Sequence, residues 1–259
     1  MFMRGEKYSR EETLLAFELY CTIPSGKVTI QNPHVIALAE AIDRPVNSVK
    51  LKLQNFKAYD PSYTQDGRVG MAHGSRLDEE VCRELLQNWD SLIAETNEIK
   101  NQLGLTQFKE ITNENESSVI YIGGNRAATT TQRIGQLFFR KALLASYNNR
   151  CCFTGIAIPE LLRASHIKAW SDSNDINEKT NPQNGLLLNA LHDVAFDKGY
   201  TTITTDYRIV VSHVLLESND ANQRYFAQLN GQKMILPYRF LPDKQFVLHH
   251  NNKFKGELL

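Results

Sequence analysis

No stretch of the 259-residue chain approaches the roughly 18 to 20 consecutive apolar residues of a membrane helix. The N-terminus MFMRGEKYSREE has no apolar segment to act as a signal peptide, so the expected compartment is the cytoplasm and no membrane partner is expected. Cysteine is scarce. The four present, Cys21, Cys82, Cys151 and Cys152, include no CxxC pair, which argues against a disulfide framework and against a four-cysteine zinc knot. Net charge is missing too: 29 Lys and Arg balance 29 Asp and Glu, which excludes a uniformly basic polymer binder. No internal repeat or low-complexity tract interrupts the chain. Hydrophobic residues at 42% and charged residues at 22% leave enough apolar material for packed cores, and the length suits one large domain or two modest ones.

Within that composition the first hundred residues read as helices. Ser9 precedes REETLLAFELY as an N-cap, with Glu12 three residues on as its capping-box partner. CTIPSGK breaks that helix, and a second runs from about Asn32 to Ile42 with Pro33 in its first turn. After the turn Asp43-Arg44-Pro45, a third covers about 46–56, with Val49, Leu51, Leu53 and Phe56 on or near its apolar face and Lys50, Lys52 and Lys57 elsewhere. Two short helices joined by a three-residue turn have the pattern of a helix-turn-helix, which makes Lys50 and Lys52 candidate DNA contacts; an ordinary helical bundle with snorkelling lysines fits the same periodicity. A loop rich in Gly, Asp and Ser follows, then one long helix is expected over about 77–103. The polar region 106–131 reads as a linker, which places a domain boundary near residue 115 and splits the chain into 1–115 and 132–259.

A further helix is expected over 132–147. Between 132 and 170 the cations Arg133, Arg140, Lys141, Arg150, Arg163 and Lys168 face the single acid Glu160, a bias that favours an anionic partner. Beyond it, short apolar runs alternate with polar loops, and TTITT, Asp206-Tyr207 and RIVVSHV read as a β-hairpin. The fold class is α+β. FVLHHNNKF is read as a strand, where adjacent His249 and His250 would point to opposite faces and make no metal pair.

Three polar positions punctuate the apolar runs: His166 closing ELLRASHI, Asn184 opening GLLL, and His192-Asp193 in LHDVAFDKG. Taken in order, CCFTG, ASHI and NGLLLNALHDVAFDKG resemble the HNH nucleases, whose core is a ββα-metal hairpin and helix, over roughly residues 133–205. The resemblance implies a C-terminal nuclease domain behind an all-α N-terminal domain. It implies a general base at His166 and an orienting asparagine at Asn184. The family's last ligand falls nine residues after the asparagine, which is Asp193, with His192 adjacent as the alternative. Many family members carry Asp or His just before the base, where this chain has Ser165; that departure implies weaker metal affinity or reliance on the helix carboxylates and waters.

Hydrolysis of a phosphodiester needs a base for water, charge stabilisation at phosphorus and help for the departing oxygen. A neutral histidine suits the first at cellular pH. One Mg²⁺ or Mn²⁺ suits the others, and Asp193 and Asp197, four apart, project from one helix face toward such an ion. Arg163 and Lys168 bracket the base as candidate backbone-phosphate contacts. The resulting expectation is a metal-dependent endonuclease on double-stranded DNA, of restriction or defence type, with a homodimer as the form suited to a two-fold site. The alternative is a DNA-binding protein that keeps a degenerate scaffold without cleavage.

Overall fold

The computed structural model describes residues 7–61, 74–105, 126–173, 175–218 and 220–256. They divide into two compact units, Met1–Lys141 and Ala142–Leu259. The expected boundary near residue 115 lies outside the described residues. Among those residues no helix is long and apolar enough to cross a membrane.

The first unit is helical. Helix α1 (Arg10–Thr22) begins as its sequence dictates: the Ser9 hydroxyl accepts from the Glu12 N–H and the Glu12 carboxylate accepts from the Ser9 N–H. Its buried face packs Phe17 and Tyr20 on Phe56, with ring centroids 5.2 and 5.7 Å apart. Helix α2 (Pro33–Ala41) is capped by Asn32, and α3 (Val46–Asn55) follows Pro45. The long helix expected over 77–103 is two, α4 (Arg76–Leu85) and α5 (Trp89–Gln102). Asn88 divides them, because its side chain accepts from the Ser91 N–H and starts a new helix, and the buried Trp89 follows at once.

Lys52 corrects the reading of α3. It is 5% exposed, its ammonium paired with Asp78 and held 4.4 Å from the centroid of the Tyr8 ring. Val49, Lys52, Leu53 and Phe56 fall at i, i+3, i+4 and i+7, so position 52 lies on the buried stripe, and Asp78, in the capping box of α4, supplies the charge that burial requires. Lys52 is therefore no contact for a phosphate; Lys50 stays half-exposed on the same helix.

Helix α6 (Arg126–Ser146) begins inside the region expected to be linker, and the division between the units falls within it. Phe138, on its first-unit part, meets Trp89 at 5.9 Å between ring centroids.

In the second unit β1 (Leu162–His166) pairs antiparallel with β2 (Gly185–Asn189), His166 opposite Gly185 and Leu162 opposite Asn189. Between them lies the short helix α7 (Ile176–Thr180), and β2 runs directly into α8 (Ala190–Asp197). Cys151 and Cys152 are both buried here, the Cys152 N–H donating to the Leu187 carbonyl at 2.8 Å. Gly199 ends α8 with φ +73°, and an added Cβ would overlap the Lys253 carbonyl; left-handed backbone and close approach both demand glycine. The hairpin β3 (Thr201–Ile203) and β4 (Ile209–Val211) forms as expected. Helices α9 (His213–Ser218) and α10 (Asp220–Phe226) follow.

The stretch read as a C-terminal strand is helix α11 (Lys244–Asn251), started by the Asp243 side chain, which accepts from the Gln245 N–H at 2.7 Å. His250 turns inward. Its ring stacks on Phe196 at 3.8 Å between centroids, Nε2 donates to the Phe196 carbonyl at 3.0 Å, and Nδ1 meets the Thr202 hydroxyl at 2.8 Å. Burial lowers its pKa to about 4. His249 instead reaches Asp172 at 3.2 Å, and Lys253 pairs with the same carboxylate.

Candidate active site

His166 ends β1 half-buried. Its Nε2 lies 2.9 Å from the Lys179 carbonyl oxygen. A carbonyl only accepts, so Nε2 carries the proton, and the neutral ring then has its lone pair on Nδ1. The Trp170 and His166 rings meet nearly perpendicular, 5.5 Å between centroids and 84° between planes. Burial lowers the pKa of His166, opposed in part by the carbonyl bond, which favours the neutral ring.

Asn184 is completely buried just before β2 and holds the frame around that ring. Its Oδ1 accepts from the Lys168 N–H at 2.7 Å, and its Nδ2 donates to the carbonyls of Lys168 at 3.1 Å and Glu178 at 3.0 Å. The chain leaving β1 is thereby tied to α7. Glu178 adjoins Lys179, so this clamp fixes the carbonyl that orients the imidazole. The Lys168 ammonium pairs with Glu178 at 2.7 Å and joins the same two segments.

The first turn of α8 is built by Asn189, whose Oδ1 accepts from the His192 N–H at 3.1 Å and from His192 Nδ1 at 2.9 Å. His192 is buried, its ring between Phe153 and Phe226 at 6.0 and 5.2 Å. That placement corrects its reading as a metal ligand: one nitrogen serves the cap and the ring packs inside. Adjacent residues on a helix lie about 100° apart, so Asp193 emerges elsewhere, toward β1.

Asp193 is half-buried and accepts from the Ser165 hydroxyl, with Arg163 and Asp197 near enough to act on its charge. Burial chiefly, and the Asp197 charge, raise its pKa; the Ser165 bond and Arg163 oppose them. Asp197 is exposed one turn on and lies 3.2 Å from the Lys198 ammonium. Among the described residues no three His, Cys, Asp or Glu side chains converge as a metal-holding group. The available set is two carboxylates on one helix face with a hydroxyl beside them. Such hard oxygen donors fit a divalent ion of the Mg²⁺ or Mn²⁺ kind that keeps most of its water. A carboxyl whose ionisation suffers from burial and a like neighbour is also where a cation relieves most.

Arg163 is exposed and folds one guanidinium nitrogen onto the carbonyls of Glu160 and Leu162, both at 3.1 Å. Two members of this arrangement escaped the sequence reading, Trp170 and Lys179. Trp170 carried a faint signal, an aromatic four residues after His166; Lys179 had none, because its part in orienting His166 is played by a backbone carbonyl.

Residues 151–204 match the family model described as HNH endonuclease. No curated protein matches the chain. The matched segment spans both cysteines, β1, the Asn184 clamp, β2, α8 and β3, and it excludes the whole first unit.

Proposed function

We propose that the HNH endonuclease domain of this chain cleaves double-stranded DNA with His166 as general base and a divalent metal ion at Asp193 and Asp197. The observation that carries the reading is the clamp around His166: the buried Asn184 fixes α7, and α7 presents the Lys179 carbonyl to Nε2. In the tautomer that this bond selects, Nδ1 carries the basic lone pair that would take a proton from water attacking phosphorus. Ser165 orients Asp193, and Arg163 sits where negative charge gathers. Mg²⁺ or Mn²⁺ bound by the two carboxylates would supply charge stabilisation for the phosphoryl group and the departing oxygen. The helical first unit, through Lys50 on α3, adds contact to the duplex. A cytoplasmic restriction or defence role, and a homodimer on a two-fold site, complete this reading.

Incubating supercoiled plasmid with the protein and Mg²⁺ or Mn²⁺, against EDTA, tests it. Nicking or linearisation that needs the metal and disappears in His166→Ala is expected; an intact plasmid under every metal refutes it. A second reading, a DNA-binding protein that does not cut, is favoured by Ser165 at the position before the base and by the lack of a three-ligand cluster among the described residues. The same assay decides between them, since a binder retards DNA in a gel and leaves it whole.

A further inference from the structure

We infer that Lys179 is a substrate-phosphate contact, its ammonium held ready beside the base by Trp170. The inference rests on the nuclease reading for its ligand, a nucleic-acid phosphate, and on three independent features of the structure for its geometry.

The first is position. The Lys179 carbonyl accepts from His166 Nε2 at 2.9 Å, so this residue's backbone is anchored against the imidazole. The second is the Trp170 platform. The Lys179 ammonium lies 5.2 Å from the Trp170 ring centroid, and the same indole meets the His166 ring nearly at right angles, 5.5 Å between centroids. A cation over an indole face is attracted by the ring's negative quadrupole, while the ammonium keeps its N–H donors on the side away from the ring. The side chain is thus ordered before a ligand arrives, and less freedom is lost on binding.

The third is the state of the neighbouring cations. Lys168 holds both oxygens of Glu178, at 2.9 and 2.7 Å. Arg163 turns back on two backbone carbonyls and lies in the field of Asp193. Lys179 shows no carboxylate partner among the described residues and is half-buried, so solvent screens it less than a surface lysine. A lysine ordered by an aromatic face next to a general base, and not neutralised by an acid, matches the needs of a bridging or flanking phosphate.

The test compares wild type with Lys179→Gln and Lys179→Arg in duplex binding by fluorescence anisotropy, in EDTA, across a salt series. One phosphate contact contributes about 0.9 to the slope of log K against log salt. Lys179→Gln is expected to reduce that slope by about 1 and to weaken binding roughly eightfold at 0.1 M salt, with Lys179→Arg restoring both. Because every variant keeps the backbone carbonyl, the acid limb of the cleavage pH profile is expected to stay in place for Lys179→Gln. A slope identical to wild type in a Lys179→Gln protein with an unchanged melting curve overturns the inference. Failure of the nuclease reading shows separately, as wild-type protein that binds duplex with normal salt dependence and never cuts it.

Discussion

A histidine that is to take a proton from water must itself be neutral, and the surroundings of His166 favour that form. Burial lowers its pKa below the ordinary value of about 6.5, and the Lys179 carbonyl selects which nitrogen carries the remaining proton. The cleavage rate is therefore expected to hold as pH falls toward 6.5 and to decline only below it, as the ring takes up a second proton; single-turnover rates against pH check this, and an acid limb centred above 6.5 contradicts it. His166→Ala is expected to lower the rate by about 10² to 10⁴, the usual contribution of a positioned base. Asn184 is judged by stability as well as rate. Asn184→Ala strands the N–H and carbonyl of Lys168 and the carbonyl of Glu178, and is expected to cost roughly 2 to 4 kcal/mol in denaturant unfolding. Asn184→Asp replaces the donor with an acceptor facing two carbonyls, and is expected to be at least as damaging. The identity of these two residues was legible in the sequence because their motif is local. The role of Lys179 was not, since any residue type can offer a carbonyl.

At the scale of elements, the capping signals carried the helices. Ser9 with Glu12 and Asn32 with Pro33 start helices where side-chain chemistry says they should. Asn88 has the same chemistry, yet an N-cap inside a polar stretch looks like any exposed asparagine until Trp89 buries. The Lys52 to Asp78 pair shows the opposite failure, a charge on a helix face that packs inward. Asp78→Ala should leave an ammonium buried without a partner and cost about 3 to 5 kcal/mol, whereas Lys52→Met combined with Asp78→Leu should recover most of that. Chemical denaturation of wild type and the two variants measures the difference. A single mutant as stable as wild type would mean that the ammonium escapes to solvent when its partner is removed.

At the scale of the whole molecule, acid sensitivity is expected from His250. Its pKa is about 4 in the folded chain against about 6.5 when unfolded, so between these values the unfolded chain binds more protons. Stability is full above about pH 6.5 and falls as pH drops toward 4, by roughly 3 kcal/mol across that window. Thermal melts of wild type and His250→Gln, taken from pH 7 to pH 4, should converge as the pH falls; curves that stay parallel contradict this assignment.

What the sequence determined by itself was whatever depends on neighbours along the chain: the helix starts, the β-hairpin, and the order of His166, Asn184 and Asp193 that marks the domain matched at 151–204. The tertiary structure decided which side chains those elements leave available. It turned His192 inward between Phe153 and Phe226, set Lys52 on Asp78, folded the His249 and His250 stretch as a helix, and brought Trp170 and Lys179 to His166. The physical reason is that periodicity fixes the angle of a residue around its own element. Whether that angle meets water, an aromatic ring or an opposite charge depends on residues far along the chain, which only packing brings near.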